Sequence, residues 1–181
     1  MKNIFQHLTS VLVLSLFVFI ALGSMEDDKT PGSSEGQTVL RGEKTVQKGI
    51  GDTLSTRYFD ITINEVRLQE WVNTGNQFAD LKKEDGNQYL ILNTTFKNTD
   101  SESRMISDGE VLINYNGKEY RFDNSETIMM DGWGIFLDQI NPLTSKTTNI
   151  VYKLPVEISG TAYYRPGRSG GDSLILIGNI E

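Results

Sequence analysis

The stretch Val111-Leu112-Ile113-Asn114-Tyr115-Asn116-Gly117-Lys118-Glu119-Tyr120-Arg121-Phe122 decides the fold class. Two runs rich in β-branched and aromatic residues flank Asn116-Gly117, and both central residues of a type I′ turn need a positive φ, which Asn and Gly tolerate. The dipeptide is the strongest hairpin signal in the chain. Working upstream, Phe59, Ile61 and Ile63 alternate with Asp60, Thr62 and Asn64, and Val66 and Leu68 resume in the opposite phase. A period of two that changes phase predicts a strand with a bulge near Asn64 or Glu65. Gln88 to Phe96 reads as another strand, apolar on both faces through Tyr89, Leu90, Ile91 and Leu92, as a central strand of a packed sheet would be.

Downstream, strands are expected at Ile135 to Ile140, Thr147 to Leu154, Gly160 to Tyr164 and Ser173 to Ile180. No amphipathic helical stretch interrupts them. Short strands at regular spacing with turn signals between them predict an all-β fold, an antiparallel β-sandwich of about seven to nine strands, with a closed barrel as the second reading.

The block from Gln88 onward resembles the exported bacterial immunoglobulin-like domain of unknown function 4352. The likeness lies in the order of its landmarks. Tyr89-Leu90-Ile91-Leu92-Asn93-Thr94-Thr95-Phe96-Lys97-Asn98 precedes Asn116-Gly117-Lys118-Glu119-Tyr120; Ile140-Asn141-Pro142-Leu143-Thr144-Ser145 then leads to Ile150-Val151-Tyr152-Lys153-Leu154-Pro155 and a final strand pair. The resemblance covers about residues 53 to 181 and implies an immunoglobulin-like sandwich without catalytic residues to carry over. Domains of this kind are often tethered as lipoproteins, but Ser24 stands where a lipidated Cys would be expected.

At the amino end, Lys2 precedes an apolar run from Leu8 to Leu22, whose core Val11 to Ile20 is followed by Ala21-Leu22-Gly23-Ser24. This is the layout of a secretory signal, with small residues three and one positions before a cut after Gly23. An uncleaved anchor is the rival, since Ile4 to Leu22 is 19 residues, near the roughly 20 that span a bilayer. A buried core helix is a remote third reading. Under the first two readings the remaining chain lies outside the cytoplasm, because the positive flank stays inside and Glu26-Asp27-Asp28 follows the apolar run.

The sequence thus divides into a signal peptide or anchor at 1–23, a flexible polar linker at 24–52 and one sandwich domain at 53–181. The linker is rich in Gly, Ser, Asp and Glu and too poor in apolar residues to offset its ordering entropy, although Val39, Leu40 and Val46 could pair at a sheet edge.

Composition narrows the chemistry. The only His is His7 and there is no Cys, so beyond the leader no imidazole or thiol remains. Cys/His and Ser/His nucleophiles, zinc sites of the usual ligands and disulfides are excluded from that region. Taking Lys2 from the 17 basic residues leaves 16 against 24 acidic ones, a formal charge of −8. Nucleic acid is an unsuitable partner for such a surface, because its binders release counterions through Lys/Arg patches.

Trp133, held in Gly132-Trp133-Gly134, and the pair Tyr163-Tyr164 are the candidate ligand-binding residues, because an aromatic in a loop offers a flat face to a sugar or a protein. For Trp133 the competing reading is a core plug beside Met129, Met130, Ile135 and Phe136, and Trp71 is expected in the core. Of Tyr163 and Tyr164, alternation exposes at least one.

Acidic groups gather at Asp80, Glu84 and Asp85, at Asp100, Glu102, Asp108 and Glu110, and at Asp123, Glu126 and Asp131. They lack EF-hand spacing; solvated loops are the main reading and a calcium site assembled from distant loops the lesser one, so the metal assignment stays unknown. Two carboxylates suffice for glycoside cleavage, which leaves a carboxylate-dependent hydrolase as a remote alternative. Gly49-Ile50-Gly51 and Gly170-Gly171 are read as linker or turn, because no helix follows to bind phosphate.

The expected function is therefore an exported, non-catalytic binding or interaction module without a cofactor. Its partner would be a protein or a surface ligand, with membrane contact only through an uncleaved amino-terminal segment. A structural or accessory part of a cell-envelope assembly is the alternative.

Overall fold

The structure is a computed structural model and describes residues 46–135, 137–167 and 170–181. The segment read as signal peptide or anchor at 1–23, and the expected linker up to residue 45, lie outside the described residues. The strands in chain order are β1 (Val46–Lys48), β2 (Thr53–Ser55), β3 (Phe59–Gln69), β4 (Asn87–Asn98), β5 (Arg104–Met105), β6 (Glu110–Tyr115), β7 (Lys118–Phe122), β8 (Gln139–Ile140), β9 (Ser145–Pro155), β10 (Gly160–Arg165) and β11 (Leu174–Ile180). Among the described residues there is no helix.

One sheet has the order β1-β11-β10-β6-β7 and the other β2-β3-β4-β9, with β5 and β8 forming a separate two-stranded ribbon. All pairings are antiparallel except β1 with β11. The chain passes between sheets from β4 to β6 and from β9 to β10, while β6-β7 and β10-β11 are neighbours within one sheet. This is an immunoglobulin-like antiparallel sandwich.

Strand details follow the residue pattern. Asn116 and Gly117 take φ of 49° and 74°, and Tyr115 pairs with Lys118 across them, as a two-residue turn requires. The register of β3 against β4 shifts between Ile63 and Glu65, which leaves Asn64 as the bulged residue and carries the apolar phase from Ile63 to Val66. Among the described residues of the segment expected as a strand at 135–140, strand is found at Gln139–Ile140. β1 lies within the segment assigned to the linker, where Val46 pairs with Leu174 at the sheet edge, as the sequence reading allowed. Strand pairing satisfies main-chain groups there, a term that composition alone does not count.

Between the sheets, Leu54, Ile61, Ile63, Leu90, Leu92, Phe96, Ile150 and Leu154 meet Val111, Ile113, Ala162, Ile175 and Ile177 in one buried cluster. Each such large aliphatic contributes about 1.5–3 kcal/mol relative to leaving it in water. Phe59 and Phe96 pack edge-to-face at 6.3 Å. Asn98, at the end of the Lys97-Asn98 landmark, is buried and fastens two loops. Its amide donates to the carbonyls of Glu102 (2.7 Å) and Ile140 (2.8 Å), and its side-chain oxygen accepts from Asp100 N–H (2.9 Å).

Candidate recognition face on the four-stranded sheet

The outward face of β4 explains why its run is apolar on both sides. Tyr89 and Ile91 point away from the main core, yet they are buried with Val72, Ile128 and Val151 in a second cluster, flanked by Ala79, Leu81, Met130 and Trp133. Two long loops, 70–86 and 123–138, supply that cover.

The first loop is closed by main-chain bonds between Val72 and Leu81 (2.8 and 3.0 Å). Asp80 accepts from Thr74 N–H (2.7 Å) and the Thr74 hydroxyl (3.0 Å), and Asn76 caps Phe78 N–H (3.1 Å). These bonds hold Phe78 at the turn with its ring 90% exposed.

The second loop runs along the free edge of β9. Glu126 N–H donates to the Val151 carbonyl (2.7 Å), Asn149 N–H to the Gly132 carbonyl (2.9 Å), and Gly134 N–H to the Asn149 carbonyl (2.8 Å). The Asn149 amide reinforces this with a bond to the same Gly132 carbonyl (2.9 Å) and accepts from Asn93 (3.0 Å). The buried Thr148 hydroxyl donates to the Gly134 carbonyl (2.7 Å). The loop therefore does the work of an edge strand, covering main-chain groups that would otherwise invite another chain. Gly134 has a φ of 67° and a side chain there would lie 2.8 Å from the Ile128 carbonyl oxygen, so only glycine fits the approach.

Where the loops meet, a groove of about 370 Å³ is lined by Asn76, Phe78, Ala79, Asp80, Leu81, Thr127, Ile128 and Met129. Met129 is 76% exposed and faces the groove from the opposite loop to Phe78. Ile128 also borders a cleft of about 350 Å³ with Met129, Met130, Asp131, Trp133, Asp138 and Lys146. A third cleft of about 350 Å³ holds Ser107, Asp108, Ser125 and Glu126 beside Ile106 and Ile135. Nearby cations are engaged: Lys146 meets Asp138 at 2.6 Å, and Lys153 meets Glu84 at 2.9 Å and Glu126 at 3.4 Å. The hydrogen bond to Glu84 raises the Lys153 pKa above its ordinary value. An apolar floor with a mixed polar rim is suited to hydrophobic contact and to hydrogen bonding at its border.

The candidate aromatics do not converge. Trp133 is half-buried against the second cluster and takes part in a bridge to Asn149, so it supports the loop and shows one side to the cleft. Tyr163 is half-buried on the outward side of the five-stranded sheet, paired with Leu112 and Leu176. Tyr164 corrects the expectation of a ligand-binding residue: it is fully buried in the main core, and its hydroxyl donates to the Asp108 carbonyl at 2.9 Å. Strand alternation turned it inward, and an internal acceptor satisfied its polar end. Trp71 corrects the expectation in the other direction, being 52% exposed just past the end of β3.

Phe78 and Met129 were missed by sequence reasoning. The available signal was a single aromatic set among turn residues, Asn73-Thr74-Gly75-Asn76-Gln77-Phe78. Several of the acidic loop residues act locally: Asp80 ties Thr74, Asp100 pairs with Arg104, Asp108 accepts from the Ser125 hydroxyl, and Glu110 pairs with Arg121 and Arg165. Among the described residues no three acidic or imidazole groups converge as a metal site would need.

The family model for the domain of unknown function DUF4352 matches residues 48–170. The chain belongs to that family. A crystal structure of an uncharacterized β-sandwich protein from Clostridium difficile 630 is similar to this DUF4352 chain, with a TM-score of 0.55 and 20% identity over 75% of this chain and 97% of that one. The yjhA protein of Bacillus subtilis gives a TM-score of 0.49 at 18% identity, covering 72% and 99%. A conserved hypothetical protein from Bacillus anthracis gives 0.49 at 18%, covering 74% and 95%. No curated protein matches the chain. The Clostridium likeness supports the sandwich architecture of the DUF4352 domain.

Proposed function

We propose that this DUF4352 chain is an exported, non-catalytic recognition module that works through the face built by its two long loops. The observation that carries the reading is the placement of Phe78 and Met129, 90% and 76% exposed, on separate loops bordering one groove with an apolar floor. Large exposed side chains beside a groove they do not fill, one of them held there by a capped turn, are the form of an unoccupied contact surface. Export is supported by Lys2, the apolar run Leu8 to Leu22 and the small residues before Ser24.

The test places a photo-crosslinking amino acid at position 78 or 129 in the full chain in exporting cells, with position 176 as a control on the other sheet. A discrete adduct from 78 and 129, absent from 176 and lost when the other loop carries Phe78→Ser or Met129→Ser, supports the reading. Equal labelling from all three positions, or none, overturns it.

A further inference from the structure

The groove between the two loops and the cleft beside it meet at Ile128 and Met129, and an exposed or half-buried carboxylate lines each of them. Asp80 stands in the groove with Phe78, and Asp131 stands in the cleft with Met130 and Trp133. We infer that the partner of this face is a short cationic stretch of polypeptide, with large apolar residues seated along Phe78, Ile128 and Met129 and a Lys or Arg on either side. The inference rests on the recognition face proposed above and names the chemistry of its partner.

Charge selects that partner. The loop 123–138 contains Asp123, Glu126, Asp131 and Asp138 and no Lys or Arg. Two cations reach it from β9: Lys146 pairs with Asp138, and Lys153 is divided between Glu126 and Glu84 of the other loop. Within the loop 70–86, Lys83 pairs with Glu70 at 2.7 Å. Among the described residues, Asp80, Asp85, Asp123 and Asp131 have no ion-pair partner, against Lys82 as the one such cation of the two loops. The two loops and the two β9 cations together carry eight acidic and four basic side chains, a formal charge of −4. Such a field draws in cations and repels the phosphates of nucleic acid and of anionic lipid.

The two carboxylates are held ready for that role. Thr74 N–H and the Thr74 hydroxyl both donate to Asp80 Oδ1, at 2.7 and 3.0 Å, which fixes the carboxylate and leaves Oδ2 open to a partner. Asp131 sits on the turn that Trp133 N–H closes on the Met130 carbonyl at 3.0 Å. Fixed groups lose less freedom on binding than mobile ones. Between them the seat is apolar: Ile128 is buried as a floor, and the unbranched thioethers of Met129 and Met130 repack around side chains of different shape. The exposed ring of Phe78 offers a face to an aliphatic group or to the stem of a Lys or Arg.

The test measures fluorescence anisotropy of the full chain, in detergent if the amino-terminal segment is retained, with three labelled synthetic peptides of equal length. The first has Leu-Phe-Leu between Lys residues, the second replaces each Lys by Glu, and the third replaces the apolar residues by Ser. Only the first is expected to bind, with an affinity that falls as salt rises. Asp131→Lys and Asp80→Asn are each expected to weaken it by about fivefold or more, and Asp172→Lys, a charge change outside the loops, to leave it within about twofold. The Asn side chain keeps an acceptor for Thr74, and thermal melts confirm that each variant is folded. Phe78→Ser and Met129→Ser are expected to weaken the same peptide, which places it on this face. Equal binding of the first two peptides, an equal loss in Asp172→Lys and Asp131→Lys, or no binding of the first peptide at millimolar concentration overturns the inference. Each of these results leaves the recognition face standing if positions 78 and 129 give their adduct in cells; without that adduct both fall.

Discussion

Tyr152 of β9 and Tyr164 of β10, one from each sheet, donate their hydroxyls to a single acceptor, the main-chain carbonyl of Asp108, at 2.5 and 2.9 Å. Both rings are fully buried, so the shared carbonyl satisfies two polar ends that would otherwise each cost free energy within the core. The joint also brings the Asp108-Gly109 turn against both sheets just before β6. Removing one hydroxyl, by Tyr152→Phe or Tyr164→Phe, is expected to cost about 1 kcal/mol. The double variant is expected to cost more than the sum, because the carbonyl keeps a donor in either single variant and loses both in the double. Urea midpoints of the four proteins measure the coupling, and strict additivity would refute it.

The same pair makes stability sensitive to alkali. Burial pushes the Tyr164 phenol well above its ordinary range, with the Asp108 charge adding to it. Burial does the same for Tyr152, reinforced by Tyr164, Asp108, Glu110 and Asp123. In the unfolded chain both would ionise near pH 10, while the folded state keeps the protons. The stabilisation is therefore whole below about pH 10 and declines as pH rises beyond it. Denaturation midpoints between pH 8 and 11.5 should fall less steeply at the alkaline end in the Tyr152→Phe, Tyr164→Phe double variant than in wild type.

Gly109 permits this joint. Its φ is 70°, and a side chain there would fall 2.5 Å from the Arg165 carbonyl oxygen and 2.9 Å from the Tyr164 hydroxyl. Gly109→Ala is expected to cost about 2–4 kcal/mol, from backbone strain together with displacement of β10. A melting temperature within a degree of wild type would count against the close approach.

On the loop face, Gly134 and Gly132 separate two effects. Both have positive φ, but only Gly134 faces a neighbour, the Ile128 carbonyl at 2.8 Å from an added Cβ. Gly132→Ala should therefore cost about 1 kcal/mol, from strain alone, and Gly134→Ala distinctly more. Trp133 emission should shift red in Gly134→Ala as the loop lifts from β9, and in Asn149→Ala, which removes the side-chain bond to Gly132. Unchanged emission in both would mean that the loop docks by other contacts.

Phe78→Ser and Met129→Ser should leave stability within about 0.5 kcal/mol of wild type, as surface residues outside special features do. A loss above about 2 kcal/mol in chemical denaturation would show that these side chains serve the fold and would remove the basis for the recognition face.

Much of the sandwich was legible in the chain, and the particular successes share a cause. The Asn116-Gly117 turn, the phase change at Asn64 and the doubly apolar Tyr89 to Leu92 are each written within about a dozen residues, because turn dihedrals and side-chain alternation are local properties. The misassignment of Tyr164 and Trp71 has the opposite cause. An aromatic in a strand or at its end carries no local mark of whether a partner strand or a loop will cover it. The sequence left the pairing of Val46 at a sheet edge open for a related reason, since its partners Leu174 and Ile175 lie at the opposite end of the chain.

The sequence by itself determined the strand periodicity, the hairpin turn, the absence of Cys, the restriction of His to position 7 and the acidic balance, because these depend on residue identity and near neighbours. Only the tertiary structure decided that Tyr152 and Tyr164 share the Asp108 carbonyl, that Asn149 clasps Gly132, and that Phe78 and Met129 face one groove. Each of those contacts joins residues separated by 17 to 56 positions. Such meetings are set by strand register and loop closure, which only the packed chain specifies.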